Sequence, residues 1–266
     1  MHRNSFFDSI QNHIVFVLFG HISDLLGDRV TFVEVGAFDG ITVSNIHPHA
    51  TNRGWTGLVI EPAPEPFEKL KQAYKDFPGI LPLQIAISQI DGPMQFFSVR
   101  SNEGGWEGML SSSDRDLILA QKSTVADIEE RLTSTTVESK TLATVCREHG
   151  ISHLDLLMVD AEGIDDAVVQ SLDFAEVKPL LVMFEHKHIP NGRLHALDGI
   201  LLDLGYERIC LWLDTIYIRK PMSDDECIRR LIDHAARLFP PGRDPQWGNG
   251  AWCFPPTGTQ DLGDAL

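Results

Sequence analysis

Residues 33–40 read Val33-Glu34-Val35-Gly36-Ala37-Phe38-Asp39-Gly40. A β-rich run from Val30 to Val35 meets a G-x-x-x-G loop. Glycines at such a junction take positive φ and let the backbone approach a ligand closely. A second apolar run, Gly57-Leu58-Val59-Ile60, ends at Glu61 and Pro62. Glu61 follows the loop by about 20 residues, the offset at which a carboxylate on the neighbouring strand accepts hydrogen bonds from an adenosine ribose. The bland alternative is a tight turn beside a solvated acid, because glycine loops alone are permissive. Loop and acid together, on two successive strands, are more specific.

Outward from this pair, strands alternate with helices. Gln84–Ser88 reads as a third strand and Met94–Val99 as another after the Asp91-Gly92 turn. Residues 101–113, rich in Gly and Ser, read as a lid-like loop, and 114–132 as a charged helix. Thr141 is placed to cap a helix carrying Leu142, Val145 and Cys146. Leu154–Val159 and Leu180–Phe184 read as buried strands, and 206–212 with 215–219 as an antiparallel hairpin. Apolar runs without period-2 alternation indicate an α/β fold, a mainly parallel sheet covered on both faces. Residues 1–29 form an N-terminal helical segment, 30–220 the main domain, and 221–266 a C-terminal helix, capped by Ser223, with a Trp-bearing tail. That tail is expected to pack on the domain or on a second copy of the chain.

With 38 acidic against 22 basic residues the net charge is −16, which disfavours nucleic acid and anionic lipid as partners. Ile14–Phe19 is too short to span a bilayer, and no leader is expected. Four scattered cysteines, with no C-x-x-C pair, fit a reducing cytoplasmic compartment. A nicotinamide-binding loop would read G-x-G-x-x-G; the glycine that admits a pyrophosphate is missing. An adenosyl ligand without phosphates, S-adenosylmethionine, is therefore favoured over a dinucleotide, and its cationic sulfonium suits acidic strand ends. A nicotinamide-dependent oxidoreductase is the lesser alternative.

These residues bring a family into view. V-E-V-G-A-F-D-G (33–40) with Ser44-Asn45, G-L-V-I-E-P (57–62), I-A-I-S (85–88), G-M-L-S-S (108–112), L-D-L-L-M-V-D-A-E-G (154–163) and D-T-I-Y-I (214–218) occur in an order that resembles the FkbM-type S-adenosylmethionine-dependent methyltransferases. The resemblance implies a Rossmann-like class I methyltransferase fold, seven strands with the last antiparallel, and methyl transfer to a hydroxyl of a saccharide or glycosylated metabolite. It implies that Glu34, Gly36, Ala37, Asp39, Gly40 and Asn45 belong to the cofactor loop. Glu61 would hold the ribose, Ala86 would lie by the adenine, and Asp160 by the methionine end. Position 34 is Glu where Asp is more usual, and position 161 is Ala where a β-branched residue is commoner. Those departures keep open a methyltransferase-fold binding module without catalysis.

Ligands in open α/β sheets bind beyond the carboxyl ends of the strands. Glu34, Glu61, Asp160, Glu162, Glu185, His186 and His188 are expected there. His186 is the first choice for the base that an alcohol acceptor needs, with Asp160 and Glu185 to orient or replace it. The plainer reading of His186 is a polar residue closing a strand. A divalent metal on Asp160, Glu185 and His186 is the rival and is not favoured, since H-x-H pairs (His186/His188, His47/His49) are not in themselves a zinc signature. Trp106, Ser111, Ser112 and His188 are the acceptor-side candidates; a solvent loop with one half-buried tryptophan is the bland alternative.

Overall fold

The computed structural model describes residues 2–42, 44–100 and 110–239. Trp106, Trp247, Trp252 and Cys253 lie outside the described residues, and with them the expectations for most of the lid and for the tail. In chain order the elements are α1 (His2–Leu26), β1 (Thr31–Val35), α2 (His47–Arg53), β2 (Thr56–Ile60), α3 (Pro64–Tyr74), β3 (Ile80–Leu83), β4 (Ala86–Ile87), β5 (Gly92–Val99), β6 (Ser111–Ser112), α4 (Arg115–Leu119), α5 (Ile128–Arg131), β7 (Leu132–Lys140), α6 (Leu142–Glu148), β8 (Leu156–Val159), α7 (Asp165–Gln170), β9 (Leu181–Glu185), α8 (Asn191–Asp203), β10 (Tyr206–Cys210), β11 (Asp214–Arg219) and α9 (Glu226–Leu238).

The main sheet runs β10-β11-β9-β8-β1-β2-β3. All its strands are parallel except β11, which lies antiparallel between β9 and β10. Strands β1, β8 and β9 are buried on both faces, as their unbroken apolar runs require. Phe32, Met158, Met183 and Ile216 face Leu18, Phe19 and Ile22 of α1, Leu70 of α3 and Ile228 of α9. Val33, Val159, Phe184 and Tyr217 face Val145 of α6, Val168 of α7 and Leu197 of α8. Truncating Phe32 or Phe184, both fully buried, would cost roughly 3–5 kcal/mol through lost burial and the cavity left behind.

A second sheet, ordered β4-β7-β5-β6, branches from the chain after β3. It corrects two expectations. The third strand of the main sheet is β3, not Gln84–Ser88, of which only Ala86–Ile87 is extended and that in the second sheet. Pro82 is tolerated in β3 because β3 is an edge strand, where a missing N–H disturbs no ladder. Residues 114–132 form two short helices and a 3-10 turn rather than one helix. Beyond them β7 pairs with β5 over eight residues, from Gly92↔Ser139 to Val99↔Leu132. A small core of Val99, Leu110, Ile118, Val125 and Ile128 holds this layer together.

Thr141 caps α6, its hydroxyl accepting from the Thr144 N–H. The cap of α9 is Asp225, which accepts from the Cys227 and Ile228 N–H groups, while Ser223 sits buried in the preceding turn. Among the described residues no helix is long and apolar enough to cross a membrane.

Candidate active site

The loop after β1 is built on close backbone approach. The N–H groups of Gly36 and Ala37 both donate to the Ile60 carbonyl, at 2.9 and 3.0 Å. Gly36 has φ +78°, and a Cβ there would lie 2.8 Å from the Asp160 carbonyl carbon and closer still to its oxygen. Only glycine lets β1 and β8 come together at their tips. Glu61 then ties the loop to β2. Its Oε2 accepts from the Phe38 N–H at 3.0 Å and its Oε1 from the Ala63 N–H at 2.8 Å. Burial pushes its pKa up to about 7 despite those two bonds.

Gly36, Glu61, Ala86 and Asp160 line one cleft, with Phe96, Ala161 and Ile164 as its apolar walls. The remaining expected cofactor residues stand apart from it. Asp39 closes its own turn by accepting from the Ile41 and Thr42 N–H groups, and it borders a separate shallow surface beside Glu65 and Lys69. Gly40 packs on Leu70 and Tyr74. Ala37 is buried beneath the loop, and Asn45 does not line the cleft. Glu34 points to the opposite face of β1, where the Ser44 hydroxyl donates to its Oε1 at 2.7 Å and burial pushes it up to about 8. Ser44 also accepts from the His47 N–H, so Glu34 braces the chain between loop and α2.

The other strand tips carry a ring of carboxylates. Asp160 is pushed up to about 6, and Glu162 and Asp214 to about 8, in each case chiefly by burial. Glu185 and Asp165 are held well above the carboxylate range, by burial first and then by the Asp160 charge. Desolvation and mutual repulsion both disfavour the ionised forms, and an added cation reverses both. Lys187 supplies part of that charge, favouring ionised Asp160 and Glu162. Asp214 lies directly across from Glu185 in the β9–β11 register. Gln11 of α1 fastens it: its side-chain N–H donates to Asp214 Oδ2 at 2.6 Å, and its carbonyl accepts from the Leu213 N–H at 2.7 Å. Asp165 accepts from the Ala161 and Gly163 N–H groups, which shapes the turn that carries Glu162.

His186 ends β9 as expected, but its ring turns to β11. Nδ1 is 2.9 Å from the Thr215 hydroxyl, the residue is 5% exposed, and burial pushes its pKa down to about 4. It lines neither the cleft nor the recess beside it. A ring so engaged joins β9 to β11. The recess beyond the cleft is lined by Ser111, Ser112, Leu117, Gln121, Glu162 and His188, and shares Ser111 with it. The metal-ligating set expected at Asp160, Glu185 and His186 is not the one brought together. Among the described residues, ligand atoms of Glu162, Glu185 and His188 lie within 4.8 Å of one another. The other H-x-H pair is divided: His49 stacks on Trp55 in the core, while His47 packs on Tyr74.

Sequence reasoning missed Gln11, Asp165 and Lys187, and gave Asp214 no place at the site. Only Asp214 carried a signal, as the first residue of the D-T-I-Y-I motif.

A methyltransferase FkbM domain model matches residues 34–208. No curated protein matches the chain. Among solved structures, a methyltransferase FkbM from Methylobacillus flagellatus KT is similar at 13% identity and a TM-score of 0.45, covering 72% of this chain. This chain spans only 44% of the length of that protein. A METTL16 MTase domain is similar at 12% identity, TM-score 0.42, covering 78% of this chain and 65% of that one. The Methanococcus jannaschii fibrillarin pre-rRNA processing protein is similar at 12% identity, TM-score 0.37, covering 72% and 67%. The sheet order and the antiparallel last strand are those of a class I methyltransferase, and the chain belongs to the FkbM methyltransferase family.

Proposed function

We propose that the chain is an S-adenosylmethionine-dependent O-methyltransferase whose acceptor is a hydroxyl of a saccharide or glycosylated metabolite. The observation that carries this is the carboxylate ring at the strand tips, beside a cleft floored by Gly36 and flanked by Glu61. S-adenosylmethionine supplies the methyl group when bound, and its sulfonium and ammonium charges match buried acids that repel one another. Glu61 keeps lone pairs for two ribose hydroxyls beyond the two backbone bonds it already accepts. The Ala86 segment and Phe96 offer an apolar wall for the base.

The adjoining recess, with the Ser111 and Ser112 hydroxyls and Gln121, suits a polyhydroxylated acceptor. A nucleic-acid acceptor fits poorly, because a phosphate backbone would meet the same carboxylates. Since the sulfonium charge disperses as the methyl leaves, uniform attraction by the acids aids binding more than rate. Acceleration is assigned to in-line alignment across the boundary of cleft and recess, and to acceptor deprotonation. Glu162 and His188 line the recess and Glu185 converges with them, and the deprotonating role is assigned to this group in place of His186.

Calorimetry with S-adenosylhomocysteine tests the cofactor assignment. Micromolar binding that weakens at least about tenfold in Glu61→Ala is expected. Absence of binding at millimolar ligand would refute it. Transfer of label from S-adenosylmethionine to a panel of saccharides then tests the acceptor class; labelling confined to nucleic acid would overturn that part.

A further inference from the structure

We propose that Glu162, Glu185 and His188 form a divalent-cation site beside the recess, and that the cation activates the acceptor hydroxyl. The inference deepens the methyl-transfer reading and rests on it.

The three groups come from separate backbone positions. Glu162 lies in the turn after β8, Glu185 at the end of β9, and His188 three residues further on. Their ligand atoms nevertheless converge within 4.8 Å of one another. The Lys187 charge acts on Glu162 and His188. Among the described residues, no donor hydrogen-bonds either carboxylate, and His188 Nε2 is 3.9 Å from Glu185 Oε2, beyond hydrogen-bond reach. Buried carboxylates normally find hydrogen-bond partners, and Glu185 is only 14% exposed. The nearest polar tie, from the Ser112 hydroxyl, goes to the Glu162 backbone carbonyl and leaves the carboxylate open. Two carboxylates and one imidazole form a donor set suited to Mn²⁺, Zn²⁺ or Mg²⁺. The Asp160, Asp165 and Asp214 charges also act on Glu185, so a cation here lowers the energy of the whole ring. Glu162 and His188 both line the recess, so an ion held by them would be within reach of an acceptor bound there.

In the reaction the acceptor hydroxyl becomes a cation ligand, and its O–H is acidified. The proton passes to water at the recess mouth. The O–C bond forms as the C–S bond breaks, and that electron pair returns to sulfur. The step is redox-neutral and leaves the cation bound.

The test uses the full chain stripped with chelator and titrated with Mn²⁺, followed by electron paramagnetic resonance, with and without S-adenosylhomocysteine. One Mn²⁺ per chain is expected, with affinity at least about tenfold weaker in His188→Ala and in Glu162→Gln. Glu185→Gln replaces either variant if it fails to fold by circular dichroism. No bound Mn²⁺, or binding unchanged in folded variants, overturns the proposal. S-adenosylhomocysteine binding is measured on the same samples. If that ligand binds and Mn²⁺ does not, the cation site falls and the methyl-transfer reading stands. If Mn²⁺ binds at these residues and the nucleoside does not, the failure lies with the reading.

Discussion

Gly36→Ala tests whether the tips of β1 and β8 are held together as described. The new Cβ would lie 2.8 Å from the Asp160 carbonyl carbon, about 1 Å inside a normal carbon–carbon contact. The obstacle is backbone, which no rotamer change removes. The residue must also keep φ near +78°, which costs a non-glycine residue about 1–2 kcal/mol. Overpacking adds about 1–3 kcal/mol. Parting the strands loses the bond from the Asp160 N–H to the Val35 carbonyl, now 2.9 Å, worth about 1 kcal/mol. The sum is about 3–6 kcal/mol, a large share of the stability of an ordinary domain. With a urea slope of about 3 kcal/mol/M, the midpoint falls by about 1–2 M. Gly40→Ala is the comparison, because Gly40 shares the φ of +78° but its Cβ would meet side-chain ends, Leu70 Cδ1 at 2.7 Å and Tyr74 Cε2 at 2.9 Å. Those ends can swing aside, so its loss should be roughly half as large. A Gly36→Ala midpoint within about 0.3 M of the parent, or no lower than that of Gly40→Ala, would refute the reasoning.

Three further outcomes are expected. The raised pKa values of Asp160 (about 6), Glu61 (about 7), and Glu34, Glu162 and Asp214 (about 8) mean that folding favours the protonated acids; their contribution is full below the ordinary carboxylate range and lost as pH rises through 6 to 8. The ligand-free melting temperature should therefore drop between pH 6 and 8.5, and S-adenosylmethionine should restore more of it than S-adenosylhomocysteine, which lacks the sulfonium charge; a flat profile or equal rescue contradicts this. Gln11→Ala leaves the Asp214 carboxylate and the Leu213 N–H without their partner and should cost about 2–4 kcal/mol in urea unfolding, whereas a loss below about 0.5 kcal/mol shows the clamp to be idle. His186→Asn should lower the melting temperature by several degrees yet keep turnover within about tenfold, with the pH profile unchanged; a loss beyond about 1,000-fold without destabilisation returns the base role to His186.

The central strands were legible because each is a short apolar run closed by an acid or glycine, a pattern that only a strand buried on both faces needs. Val33–Gly36, Leu58–Glu61 and Leu156–Asp160 show it plainly. Strand β7, L-T-S-T-T-V-E-S-K, was not legible. Its alternation is between half-buried and exposed residues, and its partner β5 lies some 40 positions away. The charged run before it carries apolar residues at helical spacing, so the helix was extended over it. Strand β3 was hidden by Pro82, which argues against a strand unless the edge position is known. At the site, Gly36 and Glu61 were readable because loop and acid are tied by spacing along the chain. Gln11 and Asp214 are 203 positions apart, and no local pattern announces such a pair. The orientation of His186 was illegible for a related reason: the Thr215 hydroxyl that holds its ring belongs to a strand antiparallel to β9.

The placement of β11 has a consequence for anyone dividing the chain. The family match stops at residue 208, yet β11 begins at Asp214 and lies inside the sheet, between β9 and β10. A fragment trimmed to 34–208 would cut into β1 and β10, leave the rest of β10 with no neighbour to bond to, and make β9 a bare edge. It would also remove α1 and α9, and with them the cover over one sheet face. The boundary of the family match and the boundary of the packed core are different lines in this molecule, and the second extends from α1 to α9.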